Sequence, residues 1–309
     1  MNQLPSLQAL KIFIITAQLN SFTKAADELG ISQGAISQHI KNLEVRVGFK
    51  VFNREGRKVS LTPSGHELLV SANHNLNQIQ RTIELEQLKQ KKNEIVISVF
   101  PGFAIRWLLP RIMSFNDLHP DIKVELNTVS RPTDFNLFHA HAAISYAAED
   151  DLPENADPLF EEELVPVCSP DFAKQHDLKL PLKKSDLEVI FSLPLLSDES
   201  PTANNFDDTW GYWAHKLGLT DHKNTPKKQS QSNITLQLAE LGHGVALGRT
   251  SLIMDALITK RLVVMTETSL TNPCKYFIYQ NPLIVANNSF EIFINWFLKE
   301  SRKISDYRF

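Results

Sequence analysis

Cysteine is nearly absent. Two residues in 309, Cys168 and Cys274, cannot build a disulfide framework and do not stand at metal-ligand spacing, so both read as plain buried thiols. No apolar run approaches the ~18 residues a membrane helix needs, so no membrane partner is expected. The first twenty residues, MNQLPSLQALKIFIITAQLN, lack a cationic leader, and Thr16 and Gln18 interrupt their apolar stretch. They are expected to form a helix of a folded domain rather than a signal peptide, which implies a cytoplasmic protein. There is no P-loop, no GxSxG and no HExxH. His139 and His141 form an HxH pair without a Cys or carboxylate at ligand spacing. Gly242, Gly244 and Gly248 follow a helical pattern and precede a strand, the reverse of a dinucleotide loop. No enzyme activity, cofactor or metal is therefore expected.

Charge is unevenly spread. The whole chain carries −3, which excludes a generally basic nucleic-acid coat, and its 42% hydrophobic content is enough for ordinary cores. Residues 1 to 65 hold eight Lys or Arg against four acids, a local +4 that leaves −7 for the remainder. The asymmetry fits a DNA-binding head on a body that avoids DNA. At this length two or three domains are expected.

The stretch Ser21 to Val47, SFTKAADELGISQGAISQHIKNLEVRV, predicts two short helices joined by a tight turn. Phe22, Ala25, Ala26 and Leu29 give the first an apolar side, Gly30 suits a left-handed terminator, and Ile31 can plug the gap between the helices. Ser32 is a good N-cap for a helix starting at Gln33. On that helix Ile36, Ile40, Leu43 and Val47 fall within about 60° of one another and must face a core. The opposite side carries Gly34, Ser37, Gln38 and Lys41: small near its start, with groups able to read base edges and a cation for phosphate. A preceding helix over residues 6 to 19 is expected to supply Leu7, Leu10, Phe13 or Ile14, and Ala17 to the core.

FKVFNREGRKVSL, Phe49 to Leu61, alternates around a turn at Glu55 and Gly56 and predicts a two-stranded wing tipped by Arg54, Arg57 and Lys58. Wing cations meet phosphates or the minor groove. Thr62 then caps a helix that begins at Pro63 and runs to about Lys91. Its Leu69, Ala72, Leu76, Ile79 and Ile83 are spaced 3, 4, 3, 4, a heptad seam that asks for a partner helix. The alternative is a linker packed on its own domain.

After the charged run KQKKN, residues 89 to 93, strands alternate with helices. EIVISVF, IKVELNTV and HAAISYA predict strands, FAIRWLLPRIMSFNDLHP a helix after a Pro101–Gly102 turn, and the whole a mostly parallel α/β sheet. ELVPVCS crosses into a second lobe containing LPLLS, the helices DTWGYWAHKLG and NITLQLAELG, and the strand VALG. KYFIYQNP returns to the first lobe, and FEIFINWFLKESRK closes the chain.

SFTKAADELGISQGAISQHIKNLE, followed by a wing and LTPSGHELL at Leu61 to Leu69, resembles the LysR-type transcriptional regulators. FAIRWLLPRI, LFEEELVPVCSP and GHGVALG resemble the subgroup containing the glycine-cleavage activator and the β-lactamase regulator. Gln38 and Gly34 depart from the residues commoner there, which bears on the bases read. The resemblance implies an α/β chain with an all-α winged helix-turn-helix head at residues 1–62. A long dimerisation linker helix at 63–91 and a two-lobed periplasmic-binding-protein-like effector domain at 92–309 would follow. Lobe I would span about 92–163 and 268–309, lobe II about 164–267. It further implies double-stranded DNA with a near-palindromic operator as one partner, a small-molecule effector as another, a homodimer through residues 63–91 and a homotetramer, with RNA polymerase as a further candidate. A redox role for the two cysteines, known among some relatives, is the remaining implication.

Candidate DNA contacts are Ser21, Phe22, Thr23, Ser32, Gln33, Gly34, Ala35, Ser37, Gln38 and Lys41, with Arg54, Arg57 and Lys58 in the wing. Ligands of open α/β sheets bind beyond the carboxyl ends of strands, here between the lobes. That selects Phe100, Pro101, Gly102, Phe103, Ser145, Tyr146, Asp198, Glu199, Ser200, Pro201, Thr202, Gly248 and Arg249. The competing expectations are a two-lobed solute-binding protein without DNA function and a two-lobed transferase.

Overall fold

The computed structural model describes residues 4–55, 58–129, 139–148, 151, 156–200, 209–219, 225–285 and 287–309. The chain divides into two compact units, residues 1–86 and 87–309.

In the first unit, α1 (Leu7–Leu19), α2 (Phe22–Leu29) and α3 (Gln33–Val47) pack around Phe13, Ala25, Ile36 and Ile40, all fully buried. Each helix starts on a serine whose hydroxyl accepts an amide of its first turn: Ser6 from Ala9, Ser21 from Lys24 and Ser32 from Ala35, all at 3.2 Å. Gly30 and Gly48 close α2 and α3 in the left-handed conformation. Of the expected α1 core residues, Phe13, Ile14 and Ala17 are buried and Leu10 packs against them, Leu7 alone is exposed, and Ala9, Ile12 and Thr16 join the buried side. Ile31 is also exposed, so the turn is held by its amide bond to the Ala26 carbonyl rather than by a plugging side chain. The wing is β1 (Phe52–Glu55) paired antiparallel with β2 (Lys58–Leu61), so the head is not purely helical.

Thr62 caps α4 (Pro63–Gln90), accepting the Gly65 amide at 2.9 Å while donating to the Lys50 carbonyl at 2.7 Å. The heptad seam is divided. Leu69, Ala72 and Leu76 pack on the head's own core, and only Ile79 and Ile83 of the five remain exposed. Once three helices and a wing leave an apolar gap at the base of α4, the nearest seam residues fill it.

In the second unit the lobe I sheet has the order β4 (Lys123–Thr128), β3 (Glu94–Val99), β5 (Ala142–Ala148), β13 (Cys274–Gln280), β6 (Asp157–Phe160). The lobe II sheet has the order β11 (Val263–Val264), β7 (Glu163–Cys168), β10 (Val245–Arg249), β8 (Leu195–Asp198), β9 (Lys227–Gln229), with β12 (Leu270–Thr271) also on β7. The parallel expectation holds for β3, β4 and β5 and for β8, β9 and β10. It fails at β7 and β13, which run antiparallel to β10 and β5. Both enter their sheets directly from the other lobe, without the crossover helix that parallel pairing requires. The return to lobe I falls at Asn272, not residue 268, because β12 still pairs with β7.

Helices α5 (Pro101–Phe103) and α6 (Leu109–Leu118) are joined by a π turn over Ala104–Leu108. Pro101 therefore begins a helix rather than forming a turn. The π turn lets the Leu109 amide reach back to the Ala104 carbonyl just ahead of Pro110, which has no amide to give. Of the remaining helices, α7 (Pro170–Gln175), α8 (Thr209–Leu217), α9 (Ser232–Glu240) and α10 (Thr250–Ile258) belong to lobe II, and α11 (Asn288–Asp306) closes lobe I. One apolar core runs through both lobes, joining Phe103, Trp107 and Phe297 to Leu252 and Ile253.

Candidate functional site

The apolar stripe of α3 is locked: Ile36 and Ile40 are wholly buried and Leu43 nearly so. That fixes the rotation of the helix and turns Gln33, Gly34, Gln38 and Lys41 to solvent, with Ala35 and Ser37 half-buried beside them. Gln38 donates to Asn42 Oδ1 at 3.0 Å, one turn along, leaving its carbonyl oxygen outward. Thr23 is exposed at the start of α2. Ser21 and Ser32 spend their lone pairs on capping but keep a hydroxyl proton. Phe22 corrects an expectation: it is buried and meets Phe52 edge-on at 5.6 Å, so its side chain belongs to the core.

Glu44 is a feature the sequence hid. It is 4% exposed and its carboxylate accepts the amides of Val51 at 3.1 Å and Phe52 at 3.5 Å, as well as Lys50 Nζ at 2.7 Å. The carboxylate thereby ties the end of α3 to the root of the wing. Arg57 lies outside the described residues, as do the side chains of Arg54 and Lys58.

The second candidate site lies where the lobes meet. Arg249, the last residue of β10, is buried with its guanidinium 4.3 Å above the Tyr146 ring of lobe I and 6.0 Å from Tyr276. Tyr146 and Asn272 exchange hydrogen bonds at 2.8 and 3.2 Å, and the Asn272 amide donates to the Glu162 carbonyl at 2.8 Å, joining the two crossing segments. Glu162 is itself buried and accepts the Ser251 amide at the start of α10 at 2.9 Å. Burial pushes the Glu162 carboxyl up and both tyrosine hydroxyls well up, although Arg249 opposes each shift. Burial works against the Arg249 cation, but Tyr276, Tyr146, Asp198 and Glu162 around it hold it charged. Ser200 accepts from Arg249 at 3.3 Å and gives its amide to Asp198 at 2.8 Å.

The structure brings Tyr146, Asp198, Ser200 and Arg249 together and leaves Phe100 and Pro101 half-buried and Glu199 exposed. Ser145 is fully buried, its hydroxyl without a hydrogen-bond partner among the described residues. Three further expectations are corrected. Phe103 is a core residue with its ring 4.9 Å from Trp107 and 4.5 Å from Tyr276. Gly248 serves packing, since a Cβ there would sit 2.6 Å from Ile253. Gly102 is likewise pressed against α9, where a Cβ would meet Ser232 Oγ at 2.2 Å. Pro201 and Thr202 lie outside the described residues. Sequence reasoning missed Glu162, Asn272 and Tyr276; Glu162 is one of three consecutive glutamates and nothing marks it out.

Two ion pairs tie the lobes beside this site. Arg106 meets Glu240 of α9 and donates to the Asn233 carbonyl, and Arg111 grips Asp255 of α10 with both nitrogens at 2.8 and 2.9 Å. Half of the HxH pair is structural, because His141 Nδ1 accepts the Val96 amide at 3.0 Å. Among the described residues no three His, Cys, Asp or Glu side chains gather to hold a metal, and no helix is long and apolar enough to cross a membrane. The two thiols sit in different sheets, with burial raising Cys168 to about 12 and Cys274 to about 11, so neither is ionised near neutral pH.

Comparison with known proteins agrees with this division. Residues 7–66 match the model described as bacterial regulatory helix-turn-helix protein, lysR family, and residues 88–300 that of the LysR substrate binding domain. The chain is 31% identical over 309 residues to the glycine cleavage system transcriptional activator of Escherichia coli K12, covering 99% of this chain and 92% of that protein. It is 27% identical over 301 residues to the HTH-type transcriptional regulator BlaA of Proteus vulgaris, covering 96% and 97%. The full-length structure of the Vibrio cholerae virulence activator AphB has a similar fold, with a TM-score of 0.51 at 18% identity over 98% of this chain and all of that one.

Proposed function

The chain belongs to the LysR family of transcriptional regulators, and from that premise we propose which residues read DNA, which join two copies and where an effector acts. As a member it has a helix-turn-helix DNA-binding domain and an effector-binding domain. Gln33, Ser37 and Gln38 read base edges in the major groove, Gly34 lets the backbone come close, and Lys41 meets a phosphate. Thr23, Ser21, Ser32 and Ala35 line the approach, while Arg54, Arg57 and Lys58 hold the flanking backbone. The exposed polar face of α3, opposite a wholly buried stripe, is the observation that carries this reading.

Two copies join through α4 at Ile79 and Ile83, presenting two recognition helices to a two-fold site. Domain limits of 1–62, 63–91 and 92–309, a homotetramer built from two such dimers, contact with RNA polymerase and a cytoplasmic location complete the proposal. No catalytic role is assigned. The effector binds between the lobes and acts through the crossing segments around Glu162 and Asn272. A wide hinge motion would have to break the Arg106 and Arg111 ion pairs and the shared core.

Binding-site selection from a random duplex pool tests the reading. The unaltered protein should enrich a near-palindrome, and Gln38→Ala should relax preference at one base position per half-site, a loss of about 1–3 kcal/mol of discrimination. Failure of the unaltered chain to enrich any sequence would overturn the proposal.

A further inference from the structure

Arg249 is 6% exposed, which makes it the most buried arginine among the described residues. A guanidinium carries five N–H donors and cannot shed its charge. Among the described residues it makes one hydrogen bond, the 3.3 Å contact with Ser200 Oγ, and has no ion pair. Its other contacts are the faces of Tyr146 and Tyr276. The two nearby carboxylates, Glu162 and Asp198, act on the cation through space without bonding it: Glu162 gives one oxygen to the Ser251 amide and Asp198 one to the Ser200 amide.

Arg106 and Arg111, in the same interlobe region, are each closed on a carboxylate and a backbone carbonyl. The chain therefore pairs its arginines fully where they only join lobes. A buried, unpaired cation is costly and calls for an anion. Arg249 also stands at the carboxyl end of β10, beside the end of the parallel strand β8, where an open α/β sheet takes its ligands.

We propose that Arg249 is the anion-recognition residue of the interlobe site, and that the effector presents a carboxylate or phosphate group to its free guanidinium edge. Tyr146 holds the guanidinium plane from one face, so the fork is fixed before the ligand arrives. The inference rests on the interlobe crevice being the effector site and narrows the effector to anions.

Melting the full chain in anion-poor buffer while adding acetate, inorganic phosphate or, at matched ionic strength, chloride tests this. Either acetate or phosphate should raise Tm saturably by about 2 °C or more beyond chloride. Which of them does so separates the carboxylate from the phosphate source. Arg249→Gln should abolish the rise and, in anion-poor buffer, melt no lower than the unaltered chain, because it removes a buried charge on which no ion pair closes. Arg249→Lys should keep a weaker response. If Arg249→Gln melts well below the unaltered chain and no anion distinguishes the two, Arg249 is a structural cation and the inference is overturned. An equal response in both proteins overturns it too. DNA binding by the unaltered chain, measured alongside, separately decides the regulator reading: it can hold while the anion inference fails, and the reverse.

Discussion

The outer face of α3 and the crevice around Arg249 are both polar, and they are built in opposite ways. On α3 the polar groups stand in solvent, and the side-chain bond on that face, Gln38 to Asn42, leaves other donors and acceptors facing outward. Around Arg249 the groups are buried and tied to one another: Tyr146 to Asn272, Glu162 to Ser251, Arg249 to Ser200. A long polymer can desolvate an exposed face when it arrives. A small molecule cannot supply that much contact, so its site must be arranged beforehand. On the proposed reading, the α3 face becomes a site only on binding, whereas the polar geometry around Arg249 exists in advance.

The strongest way to test that contrast is to break the scaffold on the crevice side. Arg106→Ala leaves Glu240 buried with only the partly exposed Arg261 as partner, and should cost about 3–5 kcal/mol in urea unfolding of the body. A loss below about 1 kcal/mol would mean that the lobes are not held together there.

The head has one buried polar knot of its own, and it sharpens the comparison. Glu44→Ala should cost about 2–3 kcal/mol, because the amides of Val51 and Phe52 lose their acceptor. The wing should loosen while the α3 face stays as it is, so DNA affinity should fall more than sequence preference. Equal losses in both would place Glu44 in base reading instead.

These two knots also show what could be read from the sequence and what could not. The helix-turn-helix was legible because its residues are neighbours: capping serines, Gly30 and a 3.6-residue stripe all fall within 27 positions. Periodicity gave most body strands as well, but not short β6, β9, β11 and β12, whose two to four residues carry no pattern. The crevice joins residues 146, 162, 249, 272 and 276, and no local rule links a glutamate in a run of three to an arginine 87 positions on. The α4 seam was right in spacing and wrong in partner for its first three residues. A heptad states that an apolar stripe needs cover without saying which surface provides it.

Smaller effects refine the contrast further. Ile79→Asp with Ile83→Asp should halve the mass seen by light scattering without unfolding the head, since neither side chain is buried in the single chain. Unchanged mass would move the contact between copies away from α4. His141 offers the smallest and most local effect. Burial lowers its pKa below the ordinary 6.5, and Nδ1 needs its lone pair for the Val96 amide. The unfolded chain therefore takes up more protons below that pH. Stability should be intact above about pH 6.5 and decline as acid is added, and His141→Gln should flatten the decline in a pH series of melts.

The account depends most on Lys41 and its neighbours facing a duplex. A mobility-shift series across salt concentrations should show Lys41→Ala binding weaker by a similar factor on every sequence, with the log–log salt slope reduced by about one phosphate contact. Identical affinity and slope for Lys41→Ala and the unaltered chain at every salt would contradict it.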